Sequence, residues 1–213
     1  IKEGYLGEIL AVDVREELGF IDHEAPMHWR DDFELSGANT MGLGIWYETL
    51  VRWIGEAVRV SALSRTFVKM RRDPERDLMR YVCVPDHLDA VADMACGAQA
   101  RFRHSRVCGH GSGSGITLYG SEGTLCFADG KLLGGERGDS GLSEIPIPAE
   151  RAGRWRVEEE FVGAIRGREH VKLTTFEDGV KYMEFTEAVA LSSAEYRAVT
   201  LPLRNKPVNG VSP

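Results

Sequence analysis

A polar and aromatic segment, residues 19–37, concentrates side chains that can transfer protons or bind a small molecule. Histidine ionises near neutral pH, so His23 and His28 are candidate groups for proton transfer. The planar guanidinium of Arg30 can hold a carboxylate through two hydrogen bonds, although a salt bridge to Asp31, Asp32 or a remote carboxylate is an equally good use of it. A segment this long is typically functional or disordered, and its aromatic content favours order.

A metal site is an alternative use of the same segment, because Asp22 and Glu24 accompany the two histidines. Against it, the six histidines form no HxH or HxxxH pair, and the four cysteines contain no CxxC pair. We therefore predict no metal ligands in the chain, and a metal-dependent hydrolase is the least favoured class. Cys96 lies in an apolar run and is predicted to be a small core residue.

A helix that could position such groups is predicted over residues 39–54, because apolar residues from Trp46 to Trp53 recur at helical spacing. Gly42 and Gly44 in its first turns each cost about 1 kcal/mol relative to alanine. They indicate either a tight turn or the close approach of another group. Trp46 can stack on a sugar ring or pack in the core, and both uses stay open.

The remaining elements indicate the fold class. Turn signals separate short apolar runs, which predicts hairpins. The predicted strands are 5–17, 58–68, 88–95, 98–104, 116–119, 124–128, 131–133, 143–147 and 198–203. This pattern predicts an α+β domain, a mostly antiparallel, open-faced β-sheet with helices packed on one face.

Two further helices are predicted, at residues 156–166 and 176–194, the second with a capping box formed by Thr175 and Asp178. The second helix is apolar on two sides, which predicts that it packs between layers. One of its stripes comprises Phe176, Val180, Met183, Ala190, Leu191 and Ala194. Glu187 projects into this stripe, so we expect a buried carboxylate with a partner.

The composition excludes several classes of protein. The formal net charge of −7 disfavours nucleic acid and anionic membranes as partners. The strongest basic run, residues 65–72, is predicted to be a solvated strand end. No run of 18 apolar residues exists and the N-terminus lacks the apolar core of a signal peptide, so we expect a cytoplasmic protein with reduced thiols. The chain begins without methionine, which suggests a fragment.

Several motifs, taken in their order and spacing, resemble one family. They are GYLGEI at 4–9, WR at 29–30, SGA through LGI at 36–45, YGSEGTL at 119–125, FVGAIRG at 161–167, TFEDG at 175–179, EA at 187–188 and VTLP at 199–202. Together they resemble the C-terminal domain of the glucose–fructose oxidoreductase / inositol dehydrogenase (Gfo/Idh/MocA) family of NAD(P)-dependent oxidoreductases. The resemblance extends over about residues 1–203.

The resemblance implies one half of a two-domain enzyme. In the family, an N-terminal Rossmann domain binds NAD or NADP through GxGxxG and carries a catalytic lysine in a Glu-Lys-Pro motif, and neither motif is present in this sequence. Residues 1–203 are then expected to be the substrate-binding and oligomerisation domain, and 204–213 a flexible tail. The implied partners are the chain's own Rossmann domain, a sugar or polyol substrate and a second copy docked on the open sheet face.

The same resemblance suggests the site. The family places an aspartate and a histidine where this chain has Gly42 and Trp46, so either the acid–base role passes to His23, His28 or the lysine of the Rossmann domain, or the chemistry differs. We predict His23 and His28 as catalytic residues. The predicted substrate-binding residues are Trp29, Arg30, Asn39, Trp46 and Tyr47, with no cofactor-binding residue in this chain.

Two alternatives accompany this prediction. Asn39 could simply cap the helix that follows it. The missing aspartate and histidine also fit a non-catalytic binding or assembly module of the same fold. On the enzyme interpretation, the isolated chain is expected to be inactive without the Rossmann half.

Overall fold

The computed structural model describes residues 1–203, so the predicted tail at 204–213 lies outside the described residues. The elements in chain order are β1 (Ile9–Glu17), α1 (Phe33–Ser36), α2 (Leu43–Ile54), β2 (Ala57–Arg65), β3 (Met70–Asp73), β4 (Leu78–Tyr81), β5 (His87–Met94), β6 (Gln99–Ser105), β7 (Ser114–Gly120), β8 (Gly123–Ala128), β9 (Lys131–Glu136), β10 (Ser143–Glu144), α3 (Val157–Ile165), α4 (Phe176–Glu195) and β11 (Val199–Thr200).

Within these residues, nine strands form one sheet in the order β10-β9-β8-β7-β1-β6-β5-β2-β11. Strand β1 lies at its centre, parallel to β6 and antiparallel to β7. The other neighbouring strands of this sheet pair antiparallel. The predicted α+β class with a mostly antiparallel sheet is therefore confirmed.

One face of the central strands forms the core. Side chains alternate across a strand, so Val12 and Val14 of β1 and Ala100 and Phe102 of β6 project to the same buried face. Helices α2 and α4 cover this face and contact each other. The elements that carry the predicted site are thus fixed to the middle of the sheet.

Three aromatic rings join α2, α4 and the sheet. Tyr47 of α2 stacks on Phe185 of α4 with ring centroids 3.7 Å apart, and Phe102 packs 5.1 Å from Phe185. The Tyr47 hydroxyl accepts a hydrogen bond from the Ala57 N–H at 2.9 Å. Burial raises the pKa of Tyr47 to about 12. Tyr47, only 2% exposed, is a core residue with no surface to offer a substrate.

Replacing Tyr47 with phenylalanine is expected to lower the free energy of unfolding by about 1–3 kcal/mol, because the buried Ala57 N–H loses its acceptor. Urea denaturation followed by circular dichroism measures this difference. Unchanged stability would show that a water molecule replaces the hydroxyl.

The opposite face of the sheet carries cross-strand ion pairs. Arg101 of β6 donates to Asp13 of β1 at 2.9 Å, and Arg103 donates to Asp89 of β5 at 2.8 Å. Leu63 and Val91 are exposed on the same side. This is the open face that the sequence predicts.

The prediction of which side of α4 is buried is partly wrong. Phe176, Val180 and Met183 are exposed, and Glu187 is also exposed rather than buried. The buried stripe is the other one, which includes Phe185, because that side faces β2 and α2. Cys96 is exposed in the turn that follows β5, so its assignment to the core is wrong.

A hairpin of β3 and β4 replaces the predicted solvated strand end at 65–72. Arg71 of β3 is 5% exposed, because its guanidinium turns inward to the 19–37 segment. The predicted boundaries differ elsewhere by a few residues. The largest differences are four residues: α2 starts at Leu43, and β1 starts at Ile9 because residues 1–7 form turns. A Cβ on Gly120 would clash with the Leu6 carbonyl oxygen, so these turns pack directly on β7.

Candidate active site

The 19–37 segment closes on itself through a 3-10 turn, Trp29–Asp31. The His28 Nδ1 atom accepts from the Arg30 N–H at 3.3 Å, and the Asp31 carboxylate accepts from the His28 N–H at 3.0 Å. The His28 ring is exposed, and its Nδ1 is engaged by the backbone. His23 is also exposed, six residues before Trp29, in the bend that the Asp22 carboxylate closes.

Buried charges fix this segment to the rest of the domain. The Asp31 carboxylate lies 2.5 Å from Arg106 Nη1 and 3.8 Å from Arg71 Nε. Arg71 also donates to the carbonyl oxygens of Asp22 and Ala25, both at 2.9 Å. We call Asp31, Arg71 and Arg106 the buried charge cluster. It holds the segment at residues 22, 25 and 31.

Arg30 connects the segment to the start of α2. Its Nη1 atom donates to the Met41 carbonyl oxygen at 3.1 Å, and its guanidinium lies 4.3 Å from the centre of the Trp29 ring. The neighbouring aspartates take other partners, since Asp31 binds Arg106 and Asp32 binds Arg80. The aspartate salt bridge left open for Arg30 is therefore not what the structure contains.

The start of α2 is capped from two directions. The Asn39 Oδ1 atom accepts from the Gly44 N–H at 3.1 Å, so Asn39 pairs one free N–H of the first turn, although the N-cap residue itself is Gly42. The Gly42 N–H donates to Oε2 of Glu16, a residue of β1, at 2.8 Å. A Cβ on Gly42 would lie 2.6 Å from Glu16 Oε1. Glycine at position 42 therefore makes room for this carboxylate.

Glu16 has a second partner, His104 of β6. The His104 Nδ1 atom lies 3.0 Å from Glu16 Oε2, and the imidazole is fully buried. Burial raises the pKa of Glu16, but hydrogen bonds from His104, the Gly42 N–H and the Trp46 indole, with the charge of the imidazole, outweigh that effect. The pKa of Glu16 therefore lies below its ordinary value, and the carboxylate is ionised at neutral pH.

The lowered pKa of Glu16 makes stability depend on pH with a definite sign. The contribution of the ionised carboxylate is present above its ordinary pKa of 4.5 and is lost as pH falls through the lower pKa of the folded protein. We expect wild type to exceed Glu16→Gln in free energy of unfolding near neutral pH, with the difference shrinking below about pH 4.5. Urea titrations of both proteins from about pH 3 to 7 measure it. A pH-independent difference would contradict the assignment.

The predicted residues lie in three places, and one of them, Tyr47, is in the core. Trp29, Arg30, Asn39 and Trp46 lie along one chain of contacts around the start of α2. The exposed His23 and His28 lie on the outer loop, beside a cleft of about 260 Å³ bordered by His28 and the buried charge cluster.

Sequence reasoning missed Glu16 and His104, although a signal exists. Each follows an alternating buried series on the core face of its strand, Val12 and Val14 before Glu16 and Phe102 before His104. An ionisable group on such a face must find a partner.

Comparison with known proteins decides the family. The sequence profile described as "GFO/IDH/MocA C-terminal domain" matches residues 1–126 of the chain. This chain belongs to the GFO/IDH/MocA C-terminal domain family. The stated resemblance is confirmed, and the family comprises parts of oxidoreductases. No curated protein sequence matches the chain at a significant level.

Solved structures show the same fold at low sequence identity. Levoglucosan dehydrogenase in complex with NADH superposes with a TM-score of 0.77 and 22% identity, covering 94% of this chain and 60% of its own. An oxidoreductase domain protein from Kribbella flavida gives 0.76 and 23%, covering 95% and 62%. An NAD binding oxidoreductase from Klebsiella pneumoniae gives 0.76 and 20%, covering 93% and 60%. The chain thus spans about three fifths of these structures' length.

Two further observations concern residues 1–203 alone. Among these residues, no helix combines the length and apolar character needed to cross a membrane. The same part of the chain holds no group of three or more histidine, cysteine or acidic side chains arranged to hold a metal ion.

Proposed function

We propose that this chain is the substrate-binding and oligomerisation half of a nicotinamide-dependent oxidoreductase acting on a sugar, a cyclitol or a related small hydroxyl compound. The match of the family profile to residues 1–126 carries the proposal. The matched range includes the 19–37 segment and the start of α2. Their aromatic, guanidinium and carboxylate groups suit a polar ring with many hydroxyls.

The cofactor part of the proposal assigns NAD or NADP mainly to a Rossmann domain outside this sequence. A dinucleotide diphosphate needs free N–H groups at a helix N-terminus. In α2 the Gly42 and Gly44 N–H groups already bind Glu16 and Asn39, and α4 is capped by Thr175. Helix α3 opens with three glutamates, which repel an anion. These residues do not fit the diphosphate, so we place no cofactor-binding residue here.

The substrate class has support from related folds. Levoglucosan dehydrogenase is known in complexes with NADH and levoglucosan and with NADH and L-sorbose. The WlbA dehydrogenase from Bordetella pertussis, with a TM-score of 0.63 and 18% identity, is known in complex with NADH and UDP-GlcNAcA. Transfer of this substrate class to the present chain is part of the proposal.

The open face of the sheet is the proposed oligomer interface. A groove of about 510 Å³ crosses it, lined in part by Leu63, Val91, Arg103 and Tyr196. Exposed apolar groups rimmed by charged ones are typical of protein–protein contacts.

The four free cysteines agree with the proposed cytoplasmic location.

The test uses the protein translated from the natural reading frame. We expect it to reduce NAD⁺ or NADP⁺, followed at 340 nm, with at least one compound from a panel of levoglucosan, L-sorbose and inositols. The 213-residue chain alone is expected to be inactive and not to bind NADH in a fluorescence titration. Absence of turnover across the panel would contradict the proposal. Micromolar binding of NADH by the chain alone would contradict the assignment of cofactor binding to the Rossmann domain.

A second candidate function is a non-catalytic binding or assembly module. The observation that favours it is the pair Gly42 and Trp46, since neither side chain can exchange a proton with an alcohol near neutral pH. A natural reading frame that lacks a GxGxxG unit, combined with a stable oligomer in solution, would favour this candidate.

A further inference from the structure

We infer that Glu16 is a substrate-binding carboxylate at the start of α2, and that His104 is the positioning residue that holds it. The inference rests on the proposed function for its substrate class. It concerns two residues, 88 positions apart, that adjacent parallel strands bring together.

The first observation is that one ring nitrogen of His104 lacks a hydrogen-bond partner among residues 1–203. Its Nε2 atom is buried and has no hydrogen-bond partner among residues 1–203, whereas its Nδ1 atom faces Glu16. A buried polar atom without a partner is costly, and an apolar ring would fill the same core without that cost. The benefit of an imidazole here is therefore its hydrogen bond to Glu16. Donation from Nδ1 to the carboxylate meets this requirement.

The second observation is how closely the start of α2 fits the Glu16 carboxylate. Oε2 receives both the Gly42 N–H and His104, while Oε1 fills the space that any side chain at position 42 would occupy. Capping alone does not account for this arrangement. Asn39 already accepts from an N–H of the first turn of α2, and Asp32 and Thr175 cap α1 and α4 from positions adjacent to those helices.

The third observation is what the carboxylate can reach. The Glu16 side chain keeps 16% of its surface exposed, although it is held from several sides. Met41, next to Gly42, accepts the hydrogen bond from Arg30, so Glu16 lies at one end of the contacts that include Trp29. An ionised carboxylate is an acceptor only, and it binds hydroxyl donors while repelling anionic ligands. We assign Glu16 the recognition of a substrate hydroxyl.

The test is steady-state kinetics of the enzyme translated from the natural reading frame, with a sugar that the wild type oxidises. Glu16→Gln, which keeps the shape and loses the charge, is expected to raise KM about tenfold or more. The KM of the wild type should rise as pH falls toward the pKa of Glu16, and the KM of the variant should not. The matched control is Glu17→Gln on the same strand, whose carboxylate accepts from the Ser112 N–H and should leave KM unchanged.

The positioning role of His104 needs its own variants. His104→Phe keeps a ring but removes the donor, and we expect a KM several times higher with kcat less affected. His104→Gln restores a donor to Glu16 and should recover most of the loss, which a purely structural role would not produce. If Glu16→Gln fails to fold, Glu16→Asp, whose shorter side chain withdraws from Gly42, should raise KM in the same way.

The outcomes separate the two proposals. A Glu16→Gln enzyme with the KM and pH dependence of the wild type would overturn this inference and leave the proposed function standing. A wild-type enzyme that oxidises no sugar of the panel with NAD⁺ or NADP⁺ would overturn both.

Discussion

Replacing Asp31 with alanine is expected to lower the free energy of unfolding by about 3–5 kcal/mol, because the buried guanidinium of Arg71 loses the carboxylate that balances its charge. Arg71 is 5% exposed and lies 3.8 Å from the Asp31 carboxylate, and Arg106 lies 2.5 Å from it. The carboxylate also accepts the His28 N–H, so one substitution removes three interactions. Urea denaturation of the chain near neutral pH measures the loss.

The matched control is Asp93→Ala on β5. Asp93 binds Arg59, but both side chains are exposed, and such surface pairs contribute about 0–1 kcal/mol. Equal effects of the two substitutions would mean that the buried charge cluster is hydrated and does not anchor the 19–37 segment.

Replacing Phe185 with alanine should be as damaging, at about 3–5 kcal/mol. Phe185 is fully buried and stacks on Tyr47, and its removal leaves a cavity between α2, α4 and the sheet. Since α2 carries Gly42 at its start, loosening this contact should also disturb the candidate site. Thermal and urea unfolding give the energetic loss, and the dispersion of the amide spectrum reports on packing.

Phe176→Ala supplies the control within the same helix and the same residue type. Phe176 is 80% exposed, so its truncation is expected to change stability by no more than about 0.5 kcal/mol. A loss comparable to that of Phe185→Ala would show that the exposed stripe of α4 is covered in solution.

These two phenylalanines show what local sequence can and cannot decide. The capping box of Thr175 and Asp178 fixes the start of α4 from four residues, and the structure confirms it. The choice between two apolar stripes depends on which side meets β2 and α2, and that information is not local. Glu187 lies on the predicted stripe, but that stripe is exposed, so the expected burial of its carboxylate is wrong for the same reason.

In the candidate site, too, some residues can be recognised from local sequence and others depend on distant partners. The 19–37 segment stands out by its length and composition, and Asn39 is recognisable as an acceptor for the first turn of α2. Arg71 could not be recognised as buried, because its partners are 40 or more residues away in sequence. Glu16 and His104 come together only through the parallel pairing of β1 and β6, which alternating hydrophobicity does not reveal.

The anchoring of the 19–37 segment has a consequence for recognition. A loop that becomes ordered only around its ligand gives up conformational entropy at that moment, at about 0.5–1.5 kcal/mol for each immobilised side chain. Here Asp31, Arg71 and Arg106 already hold the backbone, and Arg30 is fixed over Trp29. Association should therefore resemble the meeting of two preformed surfaces, with a heat-capacity change set by the area of ligand buried rather than by folding of the loop.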